Sequence, residues 1–422
     1  MEPGELAREA QKGARRATRL EESDGPIVPE KRANKAQAAE PVEGRGPAKG
    51  KVAQGNPHRT QGRFIGGATG LRRLRERSRR LEAKGEKFTN LFTHLRVDLL
   101  KAAFYRLKKQ AAPGVDGETW SMFEVDLDAR LADLQDRLHR GAYRPPPVRR
   151  TYIPKAAGKQ RPLGIPTVED KVVQGAVVAL LTPIYEAEFL DCSYAFRPGR
   201  SPHQALEAVE RMMYRGKVNW VLDLDIRSYF DSIDHGWLTR MLEHRIGDKR
   251  LIRLVRRWLK AGVLEGKQLE ATVEGTPQGG LISPLLSNVY LHYVLDLWFE
   301  RRERKALRGT THMVRYADDV VLGFQHEWEA RDFLERLKQR LAQFRLQMHP
   351  DKTRLLRFGM FARQDAHKDG RRKPETFDFL GLTHISGRSH QGKFRLIRRT
   401  SKKKRQAKLA DLKAQMRRRM HW

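Results

Sequence analysis

Two adjacent carboxylates, Asp318 and Asp319, lie between two short apolar runs in residues 313–324. Val, Phe and Tyr favour β-strands, so this pattern predicts a β-hairpin whose turn carries both acids. Two neighbouring anions repel each other unless a cation lies beside them, and hard carboxylate oxygens suit Mg²⁺. A solvated Asp-Asp turn is the simpler alternative, because so short a motif also occurs by chance. Only the rest of the sequence can distinguish a Mg²⁺ site from a solvated turn.

A third carboxylate, Asp225, closes another predicted strand, residues 218–226. A carboxylate at the end of an apolar strand is costly unless it is paired, hydrogen-bonded or used. If this strand end lay beside the 313–324 hairpin, the three carboxylates would form what a two-metal phosphoryl-transfer site requires. Helix caps or salt bridges would explain the same acids without catalysis.

Two further stretches have residues suited to a nucleotide. A hairpin turning at Ala157 and Gly158 would place Lys155 and Arg161 on neighbouring strands, where both can reach one triphosphate. A Gly-rich loop with Gln278 leads into an apolar helix and offers a side-chain amide and exposed backbone to a nucleotide. An isolated hairpin with exposed cations and an ordinary helix-capping loop are the alternatives.

Other elements would support these sites. A basic aromatic turn at 194–201 contains Arg197 and Arg200, which suit stacking on or clamping a nucleic-acid strand, although aromatic packing with a surface arginine explains it almost as well. Apolar periodicity predicts helices, and a further strand with its turn is expected at 377–382. The predicted helices cover residues 99–107, 123–138, 169–190, 202–214 and 328–346.

Composition limits the class of protein. The chain has 422 residues, enough for two or three domains, and 84 Lys and Arg against 51 Asp and Glu give a formal charge of +33. Such a field favours a polyanionic partner, with nucleic acid first and an acidic membrane surface second. No apolar run is long enough to span a membrane. The single Cys192 excludes an internal disulfide and a multi-cysteine metal knuckle, so we expect a cytoplasmic protein.

The two ends differ from the middle. We expect residues 1–65 to be a disordered extension, because residues 1–60 contain no Phe, Trp or Tyr and show no helical stripe. Residues 71–81 predict a basic helix lying on phosphate, with a solvated surface helix as the alternative. From Lys393 onward there are thirteen Lys or Arg and one acid, Asp411, which predicts a basic helical arm.

Seven short blocks, in this order, resemble the reverse transcriptase/maturase family of bacterial group II introns. The resemblance covers roughly three quarters of the chain, from about Leu99 onward. One such block is weak, but seven in order are specific. The blocks are Gly114-Val115-Asp116-Gly117, Arg161-Pro162-Leu163-Gly164-Ile165-Pro166, Phe196-Arg197-Pro198-Gly199-Arg200-Ser201, Asp225-Ile226 with Phe230-Asp231, Pro277-Gln278-Gly279, Tyr316-Ala317-Asp318-Asp319 and Phe379-Leu380-Gly381.

The resemblance implies an α+β fold, the right-hand polymerase, with fingers and an antiparallel palm sheet over residues 66–392. Residues 393–422 would begin an incomplete helical thumb, and no Cys/His cluster suggests an endonuclease. The expected activity is RNA-directed DNA synthesis with two Mg²⁺ ions, an RNA template (in the first place intron RNA), a DNA primer and deoxynucleotides. The alternatives are a non-catalytic intron-RNA-binding maturase remnant and a related reverse transcriptase in host defence.

The resemblance also implies roles for individual residues. Asp225, Asp318 and Asp319 would be the Mg²⁺ ligands. Phe230, five residues after Asp225, would lie under the sugar and reject a 2′-hydroxyl, and Lys352 would protonate the leaving pyrophosphate. The remaining roles are triphosphate binding by Lys155 and Arg161, contact with the incoming nucleotide by Gln278, and support of the primer strand by Phe379 and Gly381.

Overall fold

The computed structural model describes Glu76, Arg80 and residues 85–154, 160–266, 268–270, 272, 274–276 and 279–420. The predicted extension 1–65, most of the basic segment 71–81, and the residues Lys155 and Gln278 lie outside this part of the chain. Within it, no helix combines the length and the apolar character that crossing a membrane would need.

The described residues form three β-sheets and a set of helices. The strands are β1 (Val148–Pro154), β2 (Gln160–Ile165), β3 (Trp220–Asp225), β4 (Val263–Glu265), β5 (Gln268–Glu270), β6 (Thr311–Tyr316), β7 (Asp319–Phe324), β8 (Arg354–Arg357), β9 (Thr376–Phe379), β10 (Leu382–Arg388) and β11 (Phe394–Thr400). The helices are α1 (Val97–Tyr105), α2 (Trp120–Glu124), α3 (Leu127–His139), α4 (Val168–Tyr185), α5 (Pro202–Arg215), α6 (His235–Arg245), α7 (Lys249–Leu259), α8 (Ser283–Leu291), α9 (Arg304–Ala306), α10 (Glu327–Gln343), α11 (Ala362–Lys368) and α12 (Lys402–Arg419).

The central sheet has the strand order β6-β7-β3-β8, and every pair is antiparallel. It contains the predicted hairpin of β6 and β7, with one difference in the turn. Only Ala317 and Asp318 form the turn, while Asp319 is already the first residue of β7 and pairs with Tyr316. Val320 to Leu322 in β7 are buried, as expected of a central strand.

Amphipathic helices cover the central sheet. The predicted helix at 202–214 is α5, which begins at the N-cap Ser201, and its apolar face, including Val209 and Met212, packs in one buried cluster with Val321. Helix α10 covers β3 and β7, with Phe333 and Phe324 at a ring distance of 5.2 Å. Buried contacts of this kind fix the sheet that carries the carboxylates.

The first of the other two sheets combines β1 and β2, which precede the central sheet in sequence, with β4 and β5, which lie between β3 and β6, and the last sheet follows β8. The first has the order β2-β1-β4-β5, and the predicted hairpin of β1 and β2 places Arg161 opposite Ile153. The last has the order β11-β10-β9 and packs its Phe377 and Leu396 into the same cluster as α5. We call the hairpin of β6 and β7 the carboxylate hairpin, and the hairpin of β1 and β2 the cationic hairpin.

The predicted helix boundaries were wrong at two places. The single helix expected at 123–138 is two helices, α2 and α3, because Asp126 has a left-handed backbone with φ of 55°. The basic arm expected to be helical from Lys393 first forms strand β11, and helix α12 begins only after Ser401. The apolar residues Phe394 and Leu396 alternate with basic ones, which is the period of a strand.

The helix after the Gly-rich loop is irregular. Helix α8 is almost entirely buried and continues through two π-helical segments, His292–Asp296 and Phe299–Glu303, into α9. Segments of π-helix cost hydrogen-bond geometry and often occur where a side chain must be re-aimed. The first of them ends at Asp296, a fully buried carboxylate beneath the carboxylate hairpin.

Candidate active site

The three predicted carboxylates meet at one end of the central sheet. Asp225 ends β3 and pairs in register with Asp319, the first residue of β7. Asp318 occupies the adjoining turn and is half-buried. The two strands are antiparallel, so the end of β3 and the start of β7 must lie side by side. The fold therefore brings together acids that are far apart in sequence.

The backbone of Asp225 is fixed by the segment that follows α10. The amide of His349 donates a hydrogen bond of 2.8 Å to the Asp225 carbonyl, and Thr353 Oγ1 donates another of 3.2 Å. The Asp225 amide donates in turn to Thr353 Oγ1 at 3.4 Å. With its main chain held on both sides, Asp225 projects its carboxylate from a defined position.

Lys352 lies in the same segment and neutralises Asp225. Its Nζ is 3.1 and 3.0 Å from the two carboxylate oxygens of Asp225. The lysine side chain is 57% exposed and the aspartate side chain 32%, so the ion pair is open to solvent and weak enough to exchange. An ammonium group here marks a position that attracts a cation. Its predicted role as proton donor stays a prediction.

Charge repulsion is visible in the acids themselves. Asp319 is exposed at its surface, but partial desolvation by the surrounding protein, followed by the charges of Asp318 and Asp225, raises its pKa to about 6, while Lys352 opposes the shift. Burial also raises the pKa of Asp318, and the positive charges of Arg161 and Lys352 lower it. Arg161 on the cationic hairpin is thus close enough to act on the carboxylate hairpin.

These acids have the chemistry of a Mg²⁺ site, because they offer hard oxygen donors whose mutual repulsion a divalent cation would relieve. Their spacing is looser than a metal would impose. Among the described residues, no three His, Cys, Asp or Glu side chains are close enough together to hold an ion. Lys352 supplies the positive charge at Asp225 instead.

Sequence reasoning gave no role to a fourth acid, Asp223. It lies two residues before Asp225 in β3 and so faces the same side of the sheet. Burial raises its pKa to about 6; Arg354, at 3.6 Å, lowers it, and Asp319 and Asp225 raise it. The side chain is 20% exposed. Asp223 therefore extends the negative field of the site behind the predicted ligands.

A buried arginine beneath the turn was also missed. Arg315 is fully buried in β6, and its guanidinium makes two hydrogen bonds of 2.7 and 2.5 Å to the carboxylate of Asp296. The third nitrogen donates at 3.1 Å both to Asn288 Oδ1 and to the carbonyl of Ala317. The sequence did contain a signal for this pair, namely a charged residue within an apolar strand. Burying such a charge without a partner would cost too much free energy, so a buried acid had to be expected nearby.

The hydrogen bond to Ala317 reaches the turn of the carboxylate hairpin directly. Ala317 has φ of 57°, a left-handed conformation that the first position of this two-residue turn requires and that Gly usually provides. An alanine there is strained by about 1 kcal/mol or more. Arg315 holds the carbonyl of this strained residue, and so positions Asp318, which follows it.

Phe230 lies in a short 3₁₀ turn, Tyr229–Asp231, and is half-buried with its ring edge-to-face against Tyr229 at 5.4 Å. Its carbonyl accepts a hydrogen bond of 2.8 Å from the amide of Thr276. The chain then enters the Gly-rich loop that contains Gln278. The predicted sugar-contacting residue and the predicted nucleotide-binding loop are therefore tied together through their backbones.

The structure contradicts the predicted nucleic-acid contact at Arg197, while the contact at Arg200 stays a prediction. Arg197 is buried, pairs with Glu186 and donates to carbonyl groups including that of Ser193, so its guanidinium is fully used inside the protein. Arg200 is half-buried, paired with Asp191 and placed over the ring of Tyr194. Arg197 is a structural residue, because it has no exposed group to offer a strand.

The predicted primer contacts at Phe379 and Gly381 divide in the same way. Phe379 is 2% exposed and belongs to the apolar core, so it cannot stack on a strand in this arrangement. Gly381 has φ of 77° in the turn between β9 and β10, and its carbonyl accepts a hydrogen bond of 3.1 Å from Ser401. Lys404 lies next to this turn, 3.4 Å from the carbonyl of Leu380. The turn therefore offers backbone groups and the Lys404 ammonium as possible contacts for a nucleic-acid strand.

Comparison with known proteins gives a consistent result. Residues 153–384 match the family described as reverse transcriptase (RNA-dependent DNA polymerase). Protein YkfC of Escherichia coli (strain K12) is 35% identical over 339 residues, which cover 71% of this chain and 83% of YkfC. The group II intron-encoded protein LtrA of Lactococcus lactis subsp. cremoris is 40% identical over 218 residues, covering 50% of this chain and 36% of LtrA. Nuclear intron maturase 2 of Arabidopsis thaliana is 32% identical over 99 residues, 24% of this chain and 13% of that protein.

Proposed function

The chain belongs to the reverse transcriptase family, on its group II intron reverse transcriptase and maturase branch, and from this premise we propose that it is an RNA-directed DNA polymerase. The proposal is carried by the pairing of Asp225 with Asp319 at the end of the central sheet, with Asp318 in the adjoining turn. In these terms the central sheet is the palm, the cationic hairpin belongs to the fingers, and α12 begins a thumb.

The site residues would divide the chemistry between them. Two Mg²⁺ ions held by Asp225, Asp318 and Asp319 would supply positive charge that activates the primer hydroxyl and offsets charge on the leaving pyrophosphate. Arg161 would bind the triphosphate, which its effect on Asp318 supports. We assign the same role to Lys155 and nucleotide contact to Gln278 from the sequence.

Two other residues would act on the substrate itself. Phe230 would lie under the sugar of the incoming deoxynucleotide and exclude a 2′-hydroxyl by steric clash. Lys352 would leave Asp225 and donate a proton from Nζ to the pyrophosphate oxygen. The template would be RNA and the primer DNA, and the formal charge of +33 supports binding of both.

A non-catalytic protein that binds intron RNA is the alternative. Several relatives are named as intron proteins, and the chain spans 36% of the length of LtrA, so splicing assistance is a separate proposal. Loss of catalysis would remove the constraint on the three acids and on the strained turn. Their presence together, with the buried Arg315 beneath them, favours an active polymerase.

The test is primer extension on an RNA template with Mg²⁺, using Asp225→Asn and Asp318→Asn. Either change should lower the rate about 1,000-fold or more, because a metal-ligand charge is lost from the transition state. RNA affinity, measured by filter binding, should stay the same, since it depends on many Lys and Arg. Asp136→Asn, in a surface pair with Arg140, is the matched control and should change neither. RNA binding by the unmutated chain without any synthesis would favour the alternative.

A further inference from the structure

A small cavity lies at the end of the central sheet that is remote from the carboxylates. Its volume is about 220 Å³, and it opens between the loop before α11 and the end of the β10–β11 hairpin. The loop is attached to the start of β3, where the amide of Phe358 donates 2.9 Å to the Asn219 carbonyl. Asp225 is at the other end of β3, about 17 Å along the strand. The cavity is therefore separate from the candidate active site.

Every charged side chain that lines this cavity is a cation. Arg363, Arg388 and Lys393 are exposed, and none has an ion-pair or hydrogen-bond partner for its side chain among the described residues. A larger cavity of about 550 Å³ beside β6 is different, because its arginines share the wall with Asp191 and Glu300. The lining of the smaller cavity, with cations and no acid, favours an anion, whereas acids offset most of the positive charge in the larger one.

The cavity also has an apolar side. Phe361 is 47% exposed and Met360 is 60% exposed at its mouth. The inner wall includes Phe394, which is held edge-to-face against Tyr214 with ring centroids 5.5 Å apart. An exposed aromatic ring among cations is the combination that binds single-stranded nucleic acid, because the ring stacks on a base while the cations contact phosphates.

The walls of the cavity are formed without a ligand. Gly359 has φ of 122°, and a side chain there would approach the Val218 carbonyl to 2.2 Å, so the loop must pass close to β3 at this point. The amide of Gly359 donates 3.1 Å to Ser386 Oγ, which ties the loop to β10. A pocket fixed in this way loses little free energy to ordering when it binds.

We propose that this cavity binds one unpaired nucleotide of RNA outside the catalytic cleft. The base would stack on Phe361, and its phosphates would contact Arg388 and Lys393. A cavity of about 220 Å³ is too small for a base-paired duplex, and bases can be splayed out only from unpaired RNA. The proposal depends on the proposed function in one respect, namely that the polyanionic partner is RNA.

The experiment compares two substrates by fluorescence anisotropy: an RNA–DNA template–primer with a long unpaired RNA extension, and the same duplex with blunt ends. Phe361→Ala should weaken binding of the extended substrate about tenfold, the loss expected for one stacked base, and should leave the blunt one unchanged. Arg388→Ala with Lys393→Ala should lower the salt dependence of binding to the extended substrate by about 1.4 in logarithmic slope, for two phosphates on a single strand.

The matched control is Arg308→Ala with Lys338→Ala, which removes one exposed arginine and one exposed lysine outside the cavity. It should leave the difference between the two substrates unchanged. Equal losses on both substrates, an equal effect of the control, or competition by inorganic phosphate alone would overturn the proposal. Primer extension at saturating substrate separates the two proposals: Phe361→Ala should extend at the wild-type rate. A chain that shows the Phe361 effect but makes no DNA would contradict only the polymerase assignment.

Discussion

The carboxylate hairpin and the cationic hairpin are built in opposite ways. In the carboxylate hairpin the strands are buried, and Arg315 beneath the turn is completely enclosed. In the cationic hairpin, Tyr152 is 45% and Ile153 48% exposed, and Pro162 lies in β2, an edge strand where a missing amide donor does no harm. One hairpin is held by the core and the other projects into solvent.

The difference separates two requirements of catalysis. Groups that must keep a fixed mutual distance need supports locked by packing and hydrogen bonds. Groups that meet a mobile, highly charged substrate can rely on long-range attraction, which tolerates exposure. We therefore expect changes beneath the carboxylate hairpin to reduce kcat, and changes on the cationic hairpin to raise KM.

The largest effect should follow from replacing the buried pair under the turn. Arg315→Met alone should destabilise the protein by about 3–5 kcal/mol, because Asp296 would be left as an unpaired buried charge. Arg315→Met with Asp296→Leu should recover most of that stability, since an apolar pair of similar volume is tolerated. The double variant should still lose about 100-fold in kcat, because the Ala317 carbonyl is no longer held.

Thermal unfolding and steady-state kinetics on the same samples would check this prediction. A double variant that is stable and has wild-type kcat would show that the turn needs no support from Arg315. A raised KM for deoxynucleotide with unchanged kcat would also contradict the comparison, because it would place the effect in substrate binding.

The next effect concerns sugar selection. Phe230→Val should admit ribonucleotides, improving their kcat/KM relative to deoxynucleotides by about 10- to 100-fold, because removing the ring opens space for the 2′-hydroxyl. Its backbone hydrogen bond to Thr276 does not involve the ring, so the Gly-rich loop should keep its position. Competition between the two nucleotides is the measurement, and an unchanged preference would remove Phe230 from the sugar site.

On the cationic hairpin the expected effect is smaller. Arg161→Ala should raise KM for deoxynucleotide about tenfold with a minor change in kcat, since one charge-assisted contact to the triphosphate is lost. Arg150→Ala is the control on the same hairpin, because the Arg150 guanidinium is paired with Glu270 at 3.2 Å. A fall in kcat without a change in KM for Arg161→Ala would remove the distinction between the hairpins.

Local patterns predicted the elements of the site well. Both hairpins, the strand ending in Asp225 and the amphipathic helix at 202–214 follow from short-range periodicity, and the structure has all four. The register that sets Asp225 opposite Asp319 could not be derived, because it depends on contacts between segments 94 residues apart.

The partners of buried polar side chains could not be predicted from the sequence, for a related reason. Arg197 and Arg315 are both arginines beside aromatic residues in sequence, but only the tertiary structure shows that Arg197 pairs with Glu186 and Arg315 with Asp296. Strand β11 was mistaken for helix because its basic residues hid the alternation of Phe394 and Leu396. That prediction relied on the basic composition of the segment and overlooked its two-residue apolar period.

The smallest effect on catalysis, with a clear signature in stability, is expected at Asp170. This buried carboxylate on α4 accepts hydrogen bonds from Tyr143 at 2.7 Å, Trp258 at 2.6 Å and Gln174 at 2.8 Å, which joins the segments preceding β1 and β4. The exposed cationic hairpin is thus supported by its own buried hydrogen-bond network, which is centred on Asp170. Burial raises the pKa of Asp170 from 3.8 to about 6, against the effect of its three donors.

The sign of the pH dependence follows from that shift. Between about pH 4 and 6 the folded protein holds a proton on Asp170 that the unfolded chain releases, so the free energy of unfolding should fall as pH rises through this window. The loss is on the order of 3 kcal/mol for a shift of this size and is complete above about pH 7. Asp170→Asn should reduce this slope to the part contributed by Asp223 and Asp319, whose pKa values are also raised to about 6. It should also leave a constant offset, because one of the three donors loses its acceptor.

Urea unfolding of Asp170→Asn, the Asp136→Asn control and the unmutated chain across this pH range measures the slope. Identical slopes in all three would show that Asp170 does not titrate in this window. Deoxynucleotide KM at neutral pH should be unchanged in Asp170→Asn, because Asp170 is buried and bound by Tyr143, Trp258 and Gln174, whereas Arg161, the proposed triphosphate contact, is exposed. A raised KM would mean that the cationic hairpin, like the carboxylate hairpin, depends on its buried support for function as well as for stability.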